Sequence, residues 1–191
     1  MRDIILAQPN PAELMSKQLQ ENEILECLNT SLTARGFFIS TVDIFEQLIQ
    51  ALIERIFLKN DFAVQSVVGP LLQDSGPLGE LSVRLKLLFG LGVIPQATYQ
   101  DIEGIIKLKN LLSNDSADYH FTDTPIANAI KSLHLAKNMS MAIFDSITVA
   151  QDDMDLIFYK MQLDRQQQVI KSSLALEIIS LCEILNKESP F

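Results

Sequence analysis

The sequence has little of what marks several common protein classes. Only two cysteines, Cys27 and Cys182, occur in 191 residues, and their separation fits no metal-ligand spacing. We expect reduced thiols, as in a cytoplasmic protein, although a disulfide between them stays open. No apolar run approaches the roughly 20 residues that a membrane-spanning helix needs. The apolar part of the first segment is too short for a secretory signal.

Positive charge is also scarce. The chain has 15 basic and 24 acidic residues and a net charge of −9. The basic residues are scattered in pairs such as Arg84/Lys86 and Lys107/Lys109, whereas a nucleic-acid-binding protein needs clustered Lys and Arg to neutralise phosphates. This balance argues against strong autonomous binding to nucleic acid and favours a soluble protein that meets other proteins.

Apolar side chains at helical spacing are what the chain does have. They make up 48% of the residues, enough for a sizeable core. Spacings of three and four residues recur, and strand signals are hard to find outside an ambiguous segment at residues 139–153. The sequence therefore predicts a single all-α domain over residues 1–191, a bundle of about seven helices, with residues 1–9 as a flexible segment.

Capping residues, glycine and proline set the expected helix boundaries. A first helix should open at Asn10–Glu13, carry a stripe of Leu14, Leu25, Leu28 and Leu32, and end at Gly36. Ser40 should cap a central second helix. The inner face of that helix is expected to be Phe45, Leu48, Ile49, Leu52, Ile53, Ile56 and Phe57. The remaining helices are predicted at Asp61–Gln73, from Pro77 to about Gly90, from Pro95 to about Leu112, at Ile126–Leu135 after a Thr124 cap, and from about Asp155 to Asn186.

Catalytic and metal-binding patterns are missing. There is no phosphate-binding glycine loop, nucleophile elbow or dinucleotide fingerprint. His120 and His134 have no Cys or His partner at metal spacing. We therefore predict no catalytic residue, no metal and no cofactor.

A helix-turn-helix is an open alternative for residues 84–110, where two helices flank a turn at Gly92. The second helix of such a motif places its N-terminal residues on base edges. In this chain that end carries Gln96, Gln100, Asp101 and Glu103, and two carboxylates there would repel phosphates.

The charge layout of the fourth and fifth helices is the most informative polar pattern. Glu80/Arg84 and Glu103/Lys107 are each four residues apart in the order that favours an ion pair. Arg84 lies among apolar residues, so we expect it to be partly buried against a carboxylate such as Asp101. It would then act as a clamp between the two helices or as the floor of a polar pocket. The preceding Gly76 and Gly79 are expected to serve a tight helix start and close packing.

The same stretch resembles the mannitol operon repressor family of bacteria. The resemblance rests on GPLGELSVRLKLLFGLGVI (Gly76–Ile94), on Tyr99 to Asp101, on YHFTD (Tyr119–Asp123), on Phe57–Leu72 and on the closing helix. It implies an all-α fold, a cytoplasmic setting and repression of genes for mannitol uptake and use.

A more distant likeness concerns the Arg-Asn-x-x-x-His ending of HEPN-type helical domains, some of which cut RNA. Lys109 stands at the position of the Arg and Asn114 at that of the His, so only Asn110 matches. Asparagine does not shuttle a proton near neutral pH, which counts against acid–base cleavage of RNA. A degenerate HEPN-type, RNA-directed domain is thus a further alternative.

Family resemblance and residue chemistry together predict a repressor without a DNA-binding module of its own. It would act by holding another regulatory protein, of unknown identity, through a helical surface. We also expect self-association, as a homodimer, from the apolar content and the long last helix. The candidate partner- or ligand-binding residues are Glu80, Arg84, Lys86, Asp101, Lys107, Lys109 and Asn110.

Overall fold

The computed structural model describes residues 21–57, 62–73, 76–139, 144 and 156–186. Within these ranges every regular element is helical, which confirms the predicted all-α class. In chain order the helices are α1 (Glu21–Thr30), α2 (Ala34–Phe57), α3 (Phe62–Leu72), α4 (Leu81–Gly90), α5 (Gln96–Asn114), α6 (Thr124–Lys131) and α7 (Leu156–Asn186). A short 3-10 turn, Leu135–Lys137, follows α6.

Helix α2 lies at the centre of the bundle. It packs against α1, α4, α5 and α7, and its predicted inner face is buried from Phe45 to Ile53, with Ile56 and Phe57 partly buried. By length and composition α2 comes closer to a membrane span than the sequence expectation allowed. However, 56% of its most apolar window is buried inside the protein, as in the core helix of a bundle.

The start of α2 differs from the prediction. Gly36 does not end the first helix and Ser40 does not begin the second, because both lie inside α2. Thr33 caps this helix instead: its Oγ1 accepts the N–H of Gly36 at 3.0 Å. Leu32, predicted to belong to the inner stripe, sits in the connection and is 98% exposed.

The boundaries of the helices after α2 lie closer to the predicted ones. Helix α5 begins after Pro95, and α7 buries Ile170, Leu174, Ile178, Leu181 and Leu185 as predicted. Helix α4 begins at Leu81 rather than Pro77. Asp123 rather than Thr124 is the N-cap of α6, and α6 ends at Lys131 rather than near Leu135, which begins the 3-10 turn. Most of residues 139–153, all of residues 1–9 and the predicted helix start from Asn10 to Leu14 lie outside the described residues.

Four cationic side chains, two of them buried and two partly buried, bind main-chain carbonyls at the C-terminal ends of four helices. Lys171 Nζ donates to the carbonyls of Asn29 and Ser31 at the end of α1, and Arg35 donates to Asp115 and Ala117 after α5. Arg55 donates to Leu185 and Asn186 at the end of α7, and Arg84 donates to Leu72 at the end of α3. The last carbonyls of a helix lack intrahelical partners and carry partial negative charge, so a cation there satisfies them and complements the helix dipole.

Candidate functional site

Arg84 points into the bundle. It is 5% exposed, and its guanidinium donates to the carbonyl of Leu78 at 2.5 Å and to that of Leu72 at 2.9 Å. The predicted burial is therefore confirmed, but the predicted carboxylate partner is wrong for both Asp101 and Glu80. The planar fork of an Arg suits two carbonyls, here one at the end of α3 and one in the turn before α4, so Arg84 clamps α3 to α4.

The turn between α3 and α4 explains why two carbonyls need this side chain. Gly76 donates to the carbonyl of Gln73 at 2.7 Å, and Leu78 donates to that of Leu71 at 2.9 Å. An added Cβ at Gly76 would lie 2.5 Å from the carbonyl oxygens of Pro70 and Leu71. This confirms that Gly76 serves a tight approach, and it leaves the Leu72 carbonyl to Arg84.

Asp101 is also a structural residue. It is 3% exposed, and its carboxylate accepts the main-chain N–H groups of His134 at 2.5 Å and Leu135 at 2.9 Å. Burial raises its pKa, while the two hydrogen bonds oppose that shift. Asp101 thus fixes the 3-10 turn onto α5 rather than lining a pocket with Arg84.

The opposite side of the same two helices is exposed and polar. Lys86 and Phe89 on α4 lie beside Tyr99, Glu103 and Lys107 on α5, and these five residues are called the α4–α5 face. The rings of Phe89 and Tyr99 stack with centroids 4.7 Å apart and planes 18° apart. Tyr99 Oη donates to Glu103 Oε1 at 3.0 Å, and Lys107 Nζ donates to Glu103 Oε2 at 2.8 Å.

These contacts shift the pKa values of three side chains on the α4–α5 face. Hydrogen bonds from Lys107 and then Tyr99 lower the pKa of Glu103, with Lys86 adding a favourable positive charge. Burial and then the Glu103 contact raise the pKa of Tyr99, and Glu103 raises the pKa of Lys107. Glu103 and Lys107 are therefore both charged at neutral pH, which confirms the predicted ion pair.

The structure does not bring the remaining candidates together at one site. Glu80 precedes α4 and accepts a hydrogen bond from Ser82 Oγ at 3.2 Å. Lys109 is half-buried and Asn110 is exposed, and both lie in the C-terminal part of α5. The seven candidates thus divide into buried structural residues, an outer face and separate surface positions.

Sequence reasoning missed Phe89 and Tyr99. An aromatic residue in a helical apolar stripe is normally assigned to the core, yet Phe89 is 38% exposed. The spacing Tyr99–Glu103–Lys107 places these three residues on one side of α5 and was the available signal.

The turn at Gly92 forms the C-terminal end of α4. Gly92 has φ of 71°, its N–H donates to Phe89, and the N–H of Val93 donates to Leu88. This is a Schellman motif, in which glycine adopts the left-handed conformation at no steric cost. Gly92 is thus explained by chain geometry.

Thiol and metal chemistry find no support in the described residues. Cys27 is exposed, Cys182 is buried, and both are free. Burial raises the pKa of Cys182 to about 12, so its thiol stays protonated. No group of three or more metal-binding side chains occurs within the described ranges.

Comparisons with known proteins point to one family. The mannitol repressor family model matches residues 20–186. The mannitol operon repressor of Escherichia coli K12 is 36% identical over 178 residues, which is 93% of this chain and 87% of that protein. Fumarase E of the same organism is 27% identical over 130 residues, covering 68% of this chain and 76% of that protein.

Two solved structures have the same fold as this chain. The MtlR chain of the MtlR–HPr complex from Escherichia coli matches with a TM-score of 0.79 and 36% identity, over 87% of this chain and 98% of that chain. A possible transcriptional regulator from Shigella flexneri, YggD, shares the fold with a TM-score of 0.72 at 24% identity, over 88% of this chain and 99% of that one. The chain belongs to the mannitol repressor family.

Proposed function

We propose that this protein represses the genes for mannitol uptake and use, and that it acts by binding another regulatory protein rather than through a DNA-binding module of its own. The observation that carries the proposal is the solved relative. A chain 36% identical to this one, with the same fold, was crystallised bound to the protein HPr. We therefore propose HPr as the partner and the cytoplasm as the setting.

The use of positive charge supports a protein partner. Four of the 15 basic residues, Arg35, Arg55, Arg84 and Lys171, are bound to main-chain carbonyls. These side chains are not available to neutralise phosphates, although binding a duplex requires several such contacts. The surplus of acidic charge outside them further disfavours a polyanion.

The helix-turn-helix alternative gains nothing from the structure. Arg84 points into the core, and Asp101 is bound to the 3-10 turn. The exposed N-terminal part of α5 offers Gln96 and Gln100 and no basic side chain. An element of this composition lacks the contacts that hold a recognition helix in the major groove.

An enzymatic role is not part of the proposal. The likeness to fumarase E is lower and covers less of the chain than the likeness to the mannitol operon repressor. For RNA cleavage, Lys109 and Asn110 would need an acid–base partner, and Asn114 does not supply one. Assays for fumarate hydration and RNA cleavage by the purified protein separate these activities from regulation.

Two measurements test the proposal. In cells that lack their own mannitol repressor, expression of this protein should lower the output of a mannitol-operon reporter. In calorimetry, purified HPr should bind the protein saturably and one to one. Failure to repress would contradict the function, whereas repression without HPr binding would contradict only the choice of partner. Phe37→Ala serves as the inactive control. It leaves a cavity in the core, and truncation of a fully buried Phe lowers the free energy of unfolding by about 3–5 kcal/mol.

A further inference from the structure

We infer that two copies of this chain pair through the outer side of α7, in an antiparallel arrangement centred on Gln167. The sequence predicts a homodimer but not its surface, and the inference supplies the surface, the orientation and the facing residues. It goes beyond the proposed function and does not depend on it, because it concerns only the contact between copies.

A line of exposed side chains runs along α7 on the side that faces away from the bundle. The line, called the α7 stripe, consists of Phe158, Met161, Arg165, Val169, Ser172 and Leu176. Successive members are three or four residues apart, which keeps them on one side of a helix. Every member is exposed, whereas Ile170, Leu174 and Ile178 on the opposite side are buried. The stripe is therefore the outer surface of α7.

Four members of the α7 stripe are large apolar side chains with much of their surface in water. Met161 is 66% exposed, Leu176 59%, Phe158 53% and Val169 42%. They extend over 18 residues, about 27 Å of helix. Single exposed apolar residues are ordinary, but several on one line mark an interaction surface, and this spacing is the one by which helices pair.

The first half of α7 has the greatest need of a partner. The buried residues of α7 begin at Ile170, so residues 156–169 place no fully buried side chain in the core. Leu156 and Ile157, at the start of the helix, are 75% and 71% exposed. A helical segment of this length gains most of its stability from packing of an apolar side, and a second copy supplies that packing.

The α7 stripe has the symmetry that pairing of identical helices requires. In a two-fold symmetric antiparallel pair, residue i of one copy faces residue j of the other, and residue j faces residue i in turn. The stripe members lie 9, 6 and 2 residues before Gln167 and 2, 5 and 9 residues after it. Centring the pair on Gln167 therefore gives each member a partner. The facing pairs are Phe158 with Leu176, Met161 with Ser172 and Arg165 with Val169.

Charge favours the antiparallel orientation over the parallel one. In a parallel pair Arg165 would face its own copy, and like charges placed together oppose association. In the antiparallel pair its alkyl stem covers Val169 and its guanidinium group reaches water. The antiparallel pair also places the two bundles, which are packed on the second half of each α7, toward opposite ends of the contact. That arrangement separates two chains that each carry a net charge of −9.

The size of the contact sets its strength. A helix is about 10–12 Å across, so a contact about 27 Å long covers about 300 Å² on each copy and about 600 Å² in total. Interfaces below about 1,200 Å² belong to weak and reversible associations. We therefore expect a dimer with a dissociation constant of about 1–100 μM.

Sedimentation with a matched control tests the surface. M161E/L176E places two carboxylates in the α7 stripe, and V67E/L111E makes the same change in charge at two apolar residues that are 64% and 51% exposed elsewhere. Circular dichroism establishes that both variants are folded. We expect V67E/L111E to dimerise within about threefold of wild type and M161E/L176E to dimerise at least about tenfold more weakly. Wild type that stays monomeric at about 500 μM, or equal dimerisation by the two variants, would overturn the inference.

Disulfide crosslinking tests the orientation and does not depend on the glutamate variants. C27S removes the exposed native thiol, while buried Cys182 stays in place. F158C and L176C are then made separately in this background and oxidised alone or as an equal mixture. In the antiparallel pair each new thiol is about 27 Å from its own copy but faces the other position. We expect a crosslinked dimer from the mixture alone. Crosslinking of either variant by itself, or none in the mixture, would contradict the orientation.

HPr is the other occupant that these variants can reveal. If HPr binds wild type and V67E/L111E but not M161E/L176E, while wild type alone is monomeric, the α7 stripe binds HPr and the inference is wrong. If all three proteins bind HPr alike and only M161E/L176E is monomeric, the inference and the proposed function both stand. Failure of a dimeric wild type to repress the mannitol-operon reporter would contradict the proposed function and leave the inference intact.

Discussion

Arg84→Met should lower the free energy of unfolding by about 2–4 kcal/mol, because two carbonyls lose their donor and each unsatisfied buried group costs about 1–3 kcal/mol. The methionine fills much of the vacated volume, so the loss reports mainly on hydrogen bonding. Arg84 is 5% exposed and bonds to Leu72 and Leu78. Urea denaturation followed by circular dichroism measures the change.

Two further variants show whether the guanidinium geometry is responsible. Arg84→Lys keeps the charge but replaces a fork with a single ammonium group, so we expect a smaller loss of about 1–2 kcal/mol. Lys86→Met, at an exposed position two residues along α4, should stay within about 0.5 kcal/mol of wild type. Equal stability of Arg84→Met and Lys86→Met would show that the two carbonyls do not depend on Arg84.

Asp101→Ala should also cost about 2–4 kcal/mol, because the N–H groups of His134 and Leu135 lose their acceptor. Asp101→Asn keeps one acceptor oxygen but places an amide N–H₂ group against the second donor. It also removes the cost of burying a charge, so its loss should be smaller, about 1–2 kcal/mol. Asp118→Ala, exposed in the loop after α5, is the matched control.

The pH dependence gives a second readout at Asp101. Burial raises the pKa of Asp101 above that of an ordinary carboxyl group, so the folded state binds its proton more readily than the unfolded state. Relative to Asp101→Asn, wild type should therefore lose stability as the pH rises through the titration of this group. A difference between the two proteins that is constant with pH, or that grows in favour of wild type, would contradict this account.

The sequence predicts helices well where one face is buried throughout. The predicted inner face from Phe45 to Ile53 is confirmed, because residues spaced three and four apart lie on the same side of a helix, here the buried side of α2. The predicted helix end at Gly36 is wrong, because the hydroxyl of Thr33 caps α2 and the helix therefore begins before Gly36. Glycine inside a helix costs only about 1 kcal/mol relative to alanine, which tertiary packing readily exceeds.

The candidate site was predictable only in part. The pair Glu103/Lys107 is local and follows from spacing alone. The partners of Arg84 lie 6 residues away, in the turn before α4, and 12 residues away, at the end of α3. Main-chain carbonyls have no sequence signature, so a carboxylate was the natural expectation for a buried Arg. The Phe89–Tyr99 contact depends on how α4 and α5 meet across the Gly92 turn. Residue spacing does not contain that information.

We propose that regulation requires contact with another protein, because too little positive charge is free to hold DNA. Fluorescence anisotropy with purified protein and a labelled mannitol operator duplex, titrated at several salt concentrations, tests this proposal. We predict no binding tighter than the roughly 10⁻⁴–10⁻⁶ M that is typical of non-specific contacts at physiological salt. Nanomolar binding to the operator by the protein alone, weakening steeply with salt, would contradict the account.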